Sequence, residues 1–281
     1  MVLESLINPF TIKKKPWEMF FVGFVYSIIG LILSYLVFRE IAGILTVFLI
    51  VLAALPLVYT AINNEEDLDL KTTGEFKILK EHSRVIMFLV FLFLGVTAAL
   101  TFSYVFLPQG MVDNIFNLQK EAIVNVNNNV QGNVTQFDIF TRITFNNLKV
   151  LFFCLLFSLL YGTGAIFILT WNASVIAVAM GTLIKTEIAN TASLMGLGLV
   201  SSYFGIATFS FLRYMSHGIL EILAYFVAGF AGSIISIAII RKNMDNEKVI
   251  TDSLDLILIS LGLLLVAGII EVYLTPIFFY S

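Results

Sequence analysis

Apolar residues fill this chain in long blocks with short polar interruptions, and the alternating pattern of a half-buried strand is absent from those blocks. A helix rises about 1.5 Å per residue, so roughly 20 apolar residues cross the ~30 Å hydrocarbon layer of a bilayer. Seven blocks meet that requirement: residues 17–38, 41–62, 85–107, 148–170, 194–212, 217–240 and 254–275. An eighth stretch, 171–186 ("WNASVIAVAMGTLIKT"), is apolar but short. It has three readings: a further span, a re-entrant segment or an interfacial helix. The predicted fold class is all-α, a polytopic transmembrane helical bundle of about seven spans.

Lys and Arg accumulate in cytoplasmic loops, so their distribution orients the spans. Seven crossings with the N-terminus inside and the C-terminus outside put eleven basic residues in the cytoplasm, Lys185 among them. Five fall outside: Arg39, Lys120, Arg142, Lys149 and Arg213. Eight crossings divide the sixteen evenly, which favours seven and leaves 171–186 on the inner side. No small-residue cleavage site follows the first apolar run, so 17–38 is expected to be a retained span.

Composition agrees with this reading. Of 281 residues, 59% are hydrophobic and 12% charged, more apolar surface than a water-soluble domain of this size hides. The expected location is the cell membrane, multi-pass, with the lipid bilayer as the first partner. Basic residues are few and scattered, so no nucleic acid is expected as a partner. Cys154 is the single cysteine, which excludes an intrachain disulfide.

Two loops have length. The inner one, 63–84, carries Phe76 and Leu79 at helical spacing among lysines, the pattern of a short surface helix or of a solvated connector. The outer loop, 108–146, has Ile115, Leu118, Ala122 and Val126 on one helical face, which predicts an amphipathic helix. Asn133 heads a glycosylation triplet in that loop, and Asn172 heads another that the seven-span topology leaves on the inner side. Phe137, Phe140 and Phe145 read as an interfacial aromatic belt.

The candidate chemistry lies at membrane depth. Arg213, His217 and Glu221 open the sixth block, Glu271 lies toward the end of the seventh, and Asn146 and Asn147 precede the fourth. In the seven-span topology all six fall in the outer leaflet. A charge at bilayer depth costs about 2.5–3.5 kcal/mol on insertion scales, so such groups turn inward and pair. At about 100° per residue, His217, Glu221, Ala224, Ala228 and Gly232 share one stripe. Small residues at fourfold spacing let helix backbones approach closely, and Gly229 and Gly268 extend that expectation.

Three readings of the cluster follow: interhelical glue, a proton-sensitive site, or an intramembrane enzyme. The third is weakest. The chain has two histidines, one of them His82 in the inner loop, and hydrolytic zinc sites commonly use two or three. No metalloprotease, serine-hydrolase, phosphate-loop or dinucleotide fingerprint is present. No catalytic residue, cofactor or metal ligand is expected. Glycines in "YGTG" mark a packing or kink position.

Four segments, "FNNLKVLFFCLLFSLLYGTGAIFILTWNASVIAVAMG", "MSHGILEILAYFVAGFAG", "IAIIRK" and "AGIIEVYLTP", together resemble the stage II sporulation protein M family. The resemblance rests on Asn146, Asn147, Asn172, His217, Gly218, Glu221, Gly229, Gly232, Glu271 and Pro276, with Ser216 where the family pattern has proline. It implies a five-span core over 85–281, preceded by a two-span hairpin and cytoplasmic loop at 1–84. It also implies a non-enzymatic scaffold or assembly partner for a cell-envelope complex, with a protein partner. A homo-oligomer is a further expected association, apart from the resemblance. A transport or channel component is the alternative from the residues themselves.

Overall fold

The computed structural model describes residues 15–69, 75–128, 135–161, 163–190, 197–240, 242 and 247–279. These residues form α1 (Glu18–Val37), a 3-10 turn (Arg39–Ile41), α2 (Ala42–Asp69), α3 (Glu75–Phe106), α4 (Gln109–Ile115) and α5 (Asn117–Asn128). They continue as α6 (Gln136–Tyr161), α7 (Ala165–Asn190), α8 (Leu197–Ile240), α9 (Glu247–Ile269), a π-helical turn (Ile270–Leu274) and α10 (Thr275–Phe279). Among the described residues, seven helices are long and apolar enough to cross a membrane.

The number of spans agrees with the sequence reading, but the chain is divided differently after residue 135. The block 148–170 is not one helix: α6 ends at Tyr161 and α7 begins at Ala165. A β-carbon on Gly164 would lie 2.3 Å from the Phe157 carbonyl oxygen, so the reversal folds tightly onto the preceding turn. Segment 171–186 is therefore the body of a full-length helix, neither re-entrant nor interfacial.

The blocks 194–212 and 217–240 correct the other way, merging into the 44-residue α8. Nothing between Arg213 and Gly218 forces a break. Ser216 keeps the backbone N–H that proline would lack, and its hydroxyl donates to the Arg213 carbonyl at 3.0 Å. Ser216 thus lies inside the helix. At about 1.5 Å per residue α8 is ~66 Å long, twice the hydrocarbon thickness.

These changes relocate Lys185. Its ammonium lies 3.3 Å from Gln109 Oε1 and, like that of Lys120, sits over the Tyr104 ring, at 5.0 and 5.5 Å. Lys185 and Lys120 occupy the same end of the bundle, whereas the sequence reading put them on opposite sides.

The loops are more helical than expected. Helix runs to Asp69 and resumes at Glu75, so Phe76 and Leu79 belong to α3 itself; their side chains, like Asn133, lie outside the described residues. In 108–146 the amphipathic helix is interrupted at Phe116, and its buried face is Val112, Ile115, Phe116 and Gln119. Leu118, expected inside, is exposed. The rotation has a polar cause: Gln119 donates to Ser174 Oγ of α7 at 3.2 Å. Phe137 and Phe145 are exposed, and Phe140 stacks near Tyr273 with ring centroids 6.4 Å apart.

Glycine sets the closest helix contacts. A β-carbon on Gly95 of α3 would lie 2.0 Å from the Phe20 carbonyl oxygen of α1, and one on Gly23 would lie 2.4 Å from that of Leu92. On α8, a β-carbon at Gly232 would meet the Leu155 carbonyl oxygen of α6 at 2.6 Å, and one at Gly229 the Ala165 side chain at 2.8 Å. Backbones approach this closely where no side chain intervenes, which compensates for the missing hydrophobic drive in lipid.

Candidate functional site

The pairing of α8 with α6 and α9 determines which polar groups meet. α6 and α8 run parallel, because Asn147 meets Glu221 and, farther along both, Leu155 meets Gly232. α9 runs back beside them, carrying Glu271 to the level of Glu221 and Thr275 to that of His217. Three helices separated widely in sequence thus deliver one polar group each to a common level.

Asn147 Nδ2 donates to Glu221 Oε1 in a short hydrogen bond. The other side of Glu221 faces Glu271, with the two carboxyls within hydrogen-bonding reach. Two carboxylates only accept, so that contact is a hydrogen bond only while a proton sits between them. His217 Nε2 lies 3.9 Å from Glu271 Oε1, too far for a direct hydrogen bond. Its Nδ1 lies 3.3 Å from both the Ser216 and Thr275 hydroxyls. The chain of contacts therefore runs Asn147, Glu221, Glu271, His217, Thr275.

A local irregularity aims the α9 members. Pro276 has no N–H to return to residue 272, so the preceding turn widens from α to π. The Thr275 N–H and hydroxyl both turn to the Ile270 carbonyl, the hydroxyl at 3.1 Å. Glu271 sits in that widened turn, a feature frequent at functional sites.

Not every expected member joins. Asn146 is exposed, because adjacent helix positions point about 100° apart and only Asn147 can face α8. Arg213 lines a cavity of about 390 Å³ with His217, Glu271, Tyr214 and Gln136, so it belongs to the same vestibule. Asn172 lies on α7 away from the cluster and donates to the Ile168 carbonyl at 2.8 Å. Ala224 and Ala228 are fully buried, and Gly268 packs 3.2 Å from Phe140 and Thr144 of α6, measured from where its β-carbon would stand. The Ser216 and Thr275 hydroxyls were not anticipated as members. Thr275 had a signal, since it precedes the helix-distorting Pro276. Among the described residues, no three His, Cys, Asp or Glu side chains converge as a metal would require.

Seven apolar helices, with His217, Glu221 and Glu271 turned toward one another inside the bundle, define a polytopic helical membrane protein. The chain belongs to the Stage II sporulation protein M family, whose model matches residues 84–276. That range takes in α3 from residue 84 onward and every residue of the polar cluster, and leaves α1 and α2 ahead of it. An uncharacterized protein of Methanocaldococcus jannaschii is 29% identical over 171 residues, covering 59% of this chain and 83% of that protein. No solved structure matches.

Proposed function

We propose that the chain is a non-enzymatic assembly protein of the cell envelope, in which the polar cluster locks α6, α8 and α9 and the exposed part of α8 meets a protein partner. The observation that carries this reading is the closure of the cluster. The 390 Å³ vestibule reaches His217 and Glu271, but Glu221 is not in its wall. Beyond Glu221, Ala224, Ala228 and Ala231 are fully buried, and Gly229 and Gly232 bring α8 onto α6 and the start of α7. A transported solute needs a continuous path, and this packing supports a lock instead. The N-terminus-inside orientation remains favoured: moving Lys185 from the inner eleven to the outer five leaves ten and six.

A two-arm experiment tests the reading. Purified protein in liposomes is expected to carry no proton or ion flux above protein-free vesicles, and flux abolished by Glu271→Gln would overturn it. In native membranes, a photoreactive side chain at Phe204, 76% exposed on α8, is expected to give a discrete protein adduct. The same probe at Leu36 of α1, 73% exposed, is expected to label lipid only.

A further inference from the structure

A second cavity, of about 620 Å³, lies between α3, the end of α7 and the beginning of α8. Its walls are apolar over most of their area, with Leu94, Ala98 and Phe102 on one side and Ala207 and Phe211 on another. Thr97, Thr101, Lys185 and Tyr203 break that surface. At one end stands Lys185. Close by, the Lys120 ammonium bonds Asp113 at 2.6 Å, and that hydrogen bond holds the Asp113 carboxyl below the usual carboxylate range. Asp113 stays charged and offsets Lys120, so the two ammonium groups and one carboxylate leave an excess positive charge at the rim.

Deeper on α3 is Thr101, 8% exposed, whose hydroxyl has no hydrogen-bond partner among the described residues. Its neighbours on the same helix behave differently. Thr97 donates to the Phe93 carbonyl at 2.9 Å and Ser103 to that of Ala99 at 2.8 Å. Back-bonding of this kind is how a hydroxyl normally satisfies itself inside an apolar helix. Thr101 instead lines the cavity with its donor unused.

Read along α3, the cavity offers apolar wall at Leu94 and Ala98, a free donor at Thr101, and a cation beyond Tyr104. That order matches a membrane lipid: acyl chain, linkage oxygen, phosphate. We propose that this cavity binds one anionic phospholipid from the surrounding bilayer, with its chain between α3 and α8, its linkage oxygen at Thr101 and its phosphate at Lys185. The proposal stands apart from the assembly role, because it uses none of the polar cluster and its test needs no protein partner, although Ala207 and Phe211 share the face of α8 that carries Phe204.

Native mass spectrometry of the full-length chain, delipidated and titrated with phosphatidylglycerol or phosphatidylcholine, tests it. One phosphatidylglycerol is expected to bind in preference to phosphatidylcholine. Lys185→Gln is expected to weaken phosphatidylglycerol by roughly fivefold to tenfold, since one interfacial cation is worth about that factor, and to leave phosphatidylcholine unchanged. Lys149→Gln, a charge loss on α6, is expected to change neither. Ala207→Trp fills the cavity from the opposite wall and is expected to abolish binding of both lipids even where Lys185→Gln does not fold. Equal affinity for the two lipids, or a Lys185→Gln protein that keeps its preference, overturns the proposal. So does a lipid-free dimer whose crosslinks map a second copy into the cavity.

Discussion

The two ends of α8 are similar in hydrophobicity and opposite in surroundings. From Ile222 to Ser233, all but Leu223 are buried, three of the alanines completely. Between Ser202 and Leu212, Ser210 is the one buried position, while Phe204 and Leu212 are 76% and 52% exposed. Hydrophobicity does not separate these regions, because lipid and helix interior are equally apolar. The spacing of the small residues does. The buried part repeats Ala and Gly at fourfold spacing and lets α6 approach to backbone contact, whereas the exposed part presents large side chains to whatever surrounds it. With α8 about twice as long as the bilayer is thick, lipid and a protein partner are the two candidates to cover that second part.

The strongest test of this contrast adds bulk to each half. Gly232→Leu would force a β-carbon to within 2.6 Å of the Leu155 carbonyl oxygen, and neither backbone can yield without separating α6 from α8. The expected loss is about 3 kcal/mol, at the upper end of overpacking costs, read as a lowered unfolding temperature in detergent. Gly205→Leu meets nothing within 4 Å. Leucine is also the better helix former, so stability there is expected to hold or rise by up to about 1 kcal/mol. Equal losses at the two sites would show that the exposed half is packed as tightly as the other.

A smaller effect is expected one turn from the polar boundary. Glu221→Leu leaves the Asn147 amide without its acceptor, which in a membrane interior costs about 1 kcal/mol. Glu221→Gln keeps a carbonyl oxygen and is expected to cost less than half of that. Paired with Asn147→Leu in a double-mutant cycle, the Glu221→Leu loss should largely disappear, because no stranded donor remains. Full tolerance of Leu with loss of function in Gln would refute the view that the carboxyl acts as a lock.

The extent to which this arrangement was legible follows from what each residue encodes locally. Apolar length alone gave seven spans, and fourfold spacing put His217 and Glu221 on one face with the small residues. The division into helices was hidden. Arg213 and His217 look like a boundary between blocks, yet a helix ends only where its backbone bonds or sterics fail, and neither does there. The reversal at Gly164 is the opposite case, an apolar stretch interrupted by a close approach that hydropathy does not register. Within the site, spacing could not choose between Asn146 and Asn147, because the answer depends on the rotation of α6 against α8. It also set His217 and Glu221 on one face without choosing among His217, Arg213 and the asparagines as partner; Glu221 meets Asn147 and Glu271.

The smallest expected effect discriminates most finely. Ser210 lies in the exposed half of α8, yet it is fully buried and its hydroxyl has no partner among the described residues. In the packed half, Ser233 donates to the Gly229 carbonyl at 2.9 Å. Ser210→Ala therefore removes no hydrogen bond from the isolated chain and gains helix propensity, so stability in detergent is expected to stay level or rise by up to about 0.5 kcal/mol. In native membranes Phe204→Ala separates two states of α8, because Phe204 is 76% exposed on the open face whereas the Ser210 hydroxyl is covered by the chain itself. If that face lies against lipid, alanine remains close to neutral there. If a protein partner covers it, Phe204→Ala lowers resistance to heat aggregation in native membranes but not in detergent. That difference between media would be direct evidence that the open part of α8 is an occupied interface.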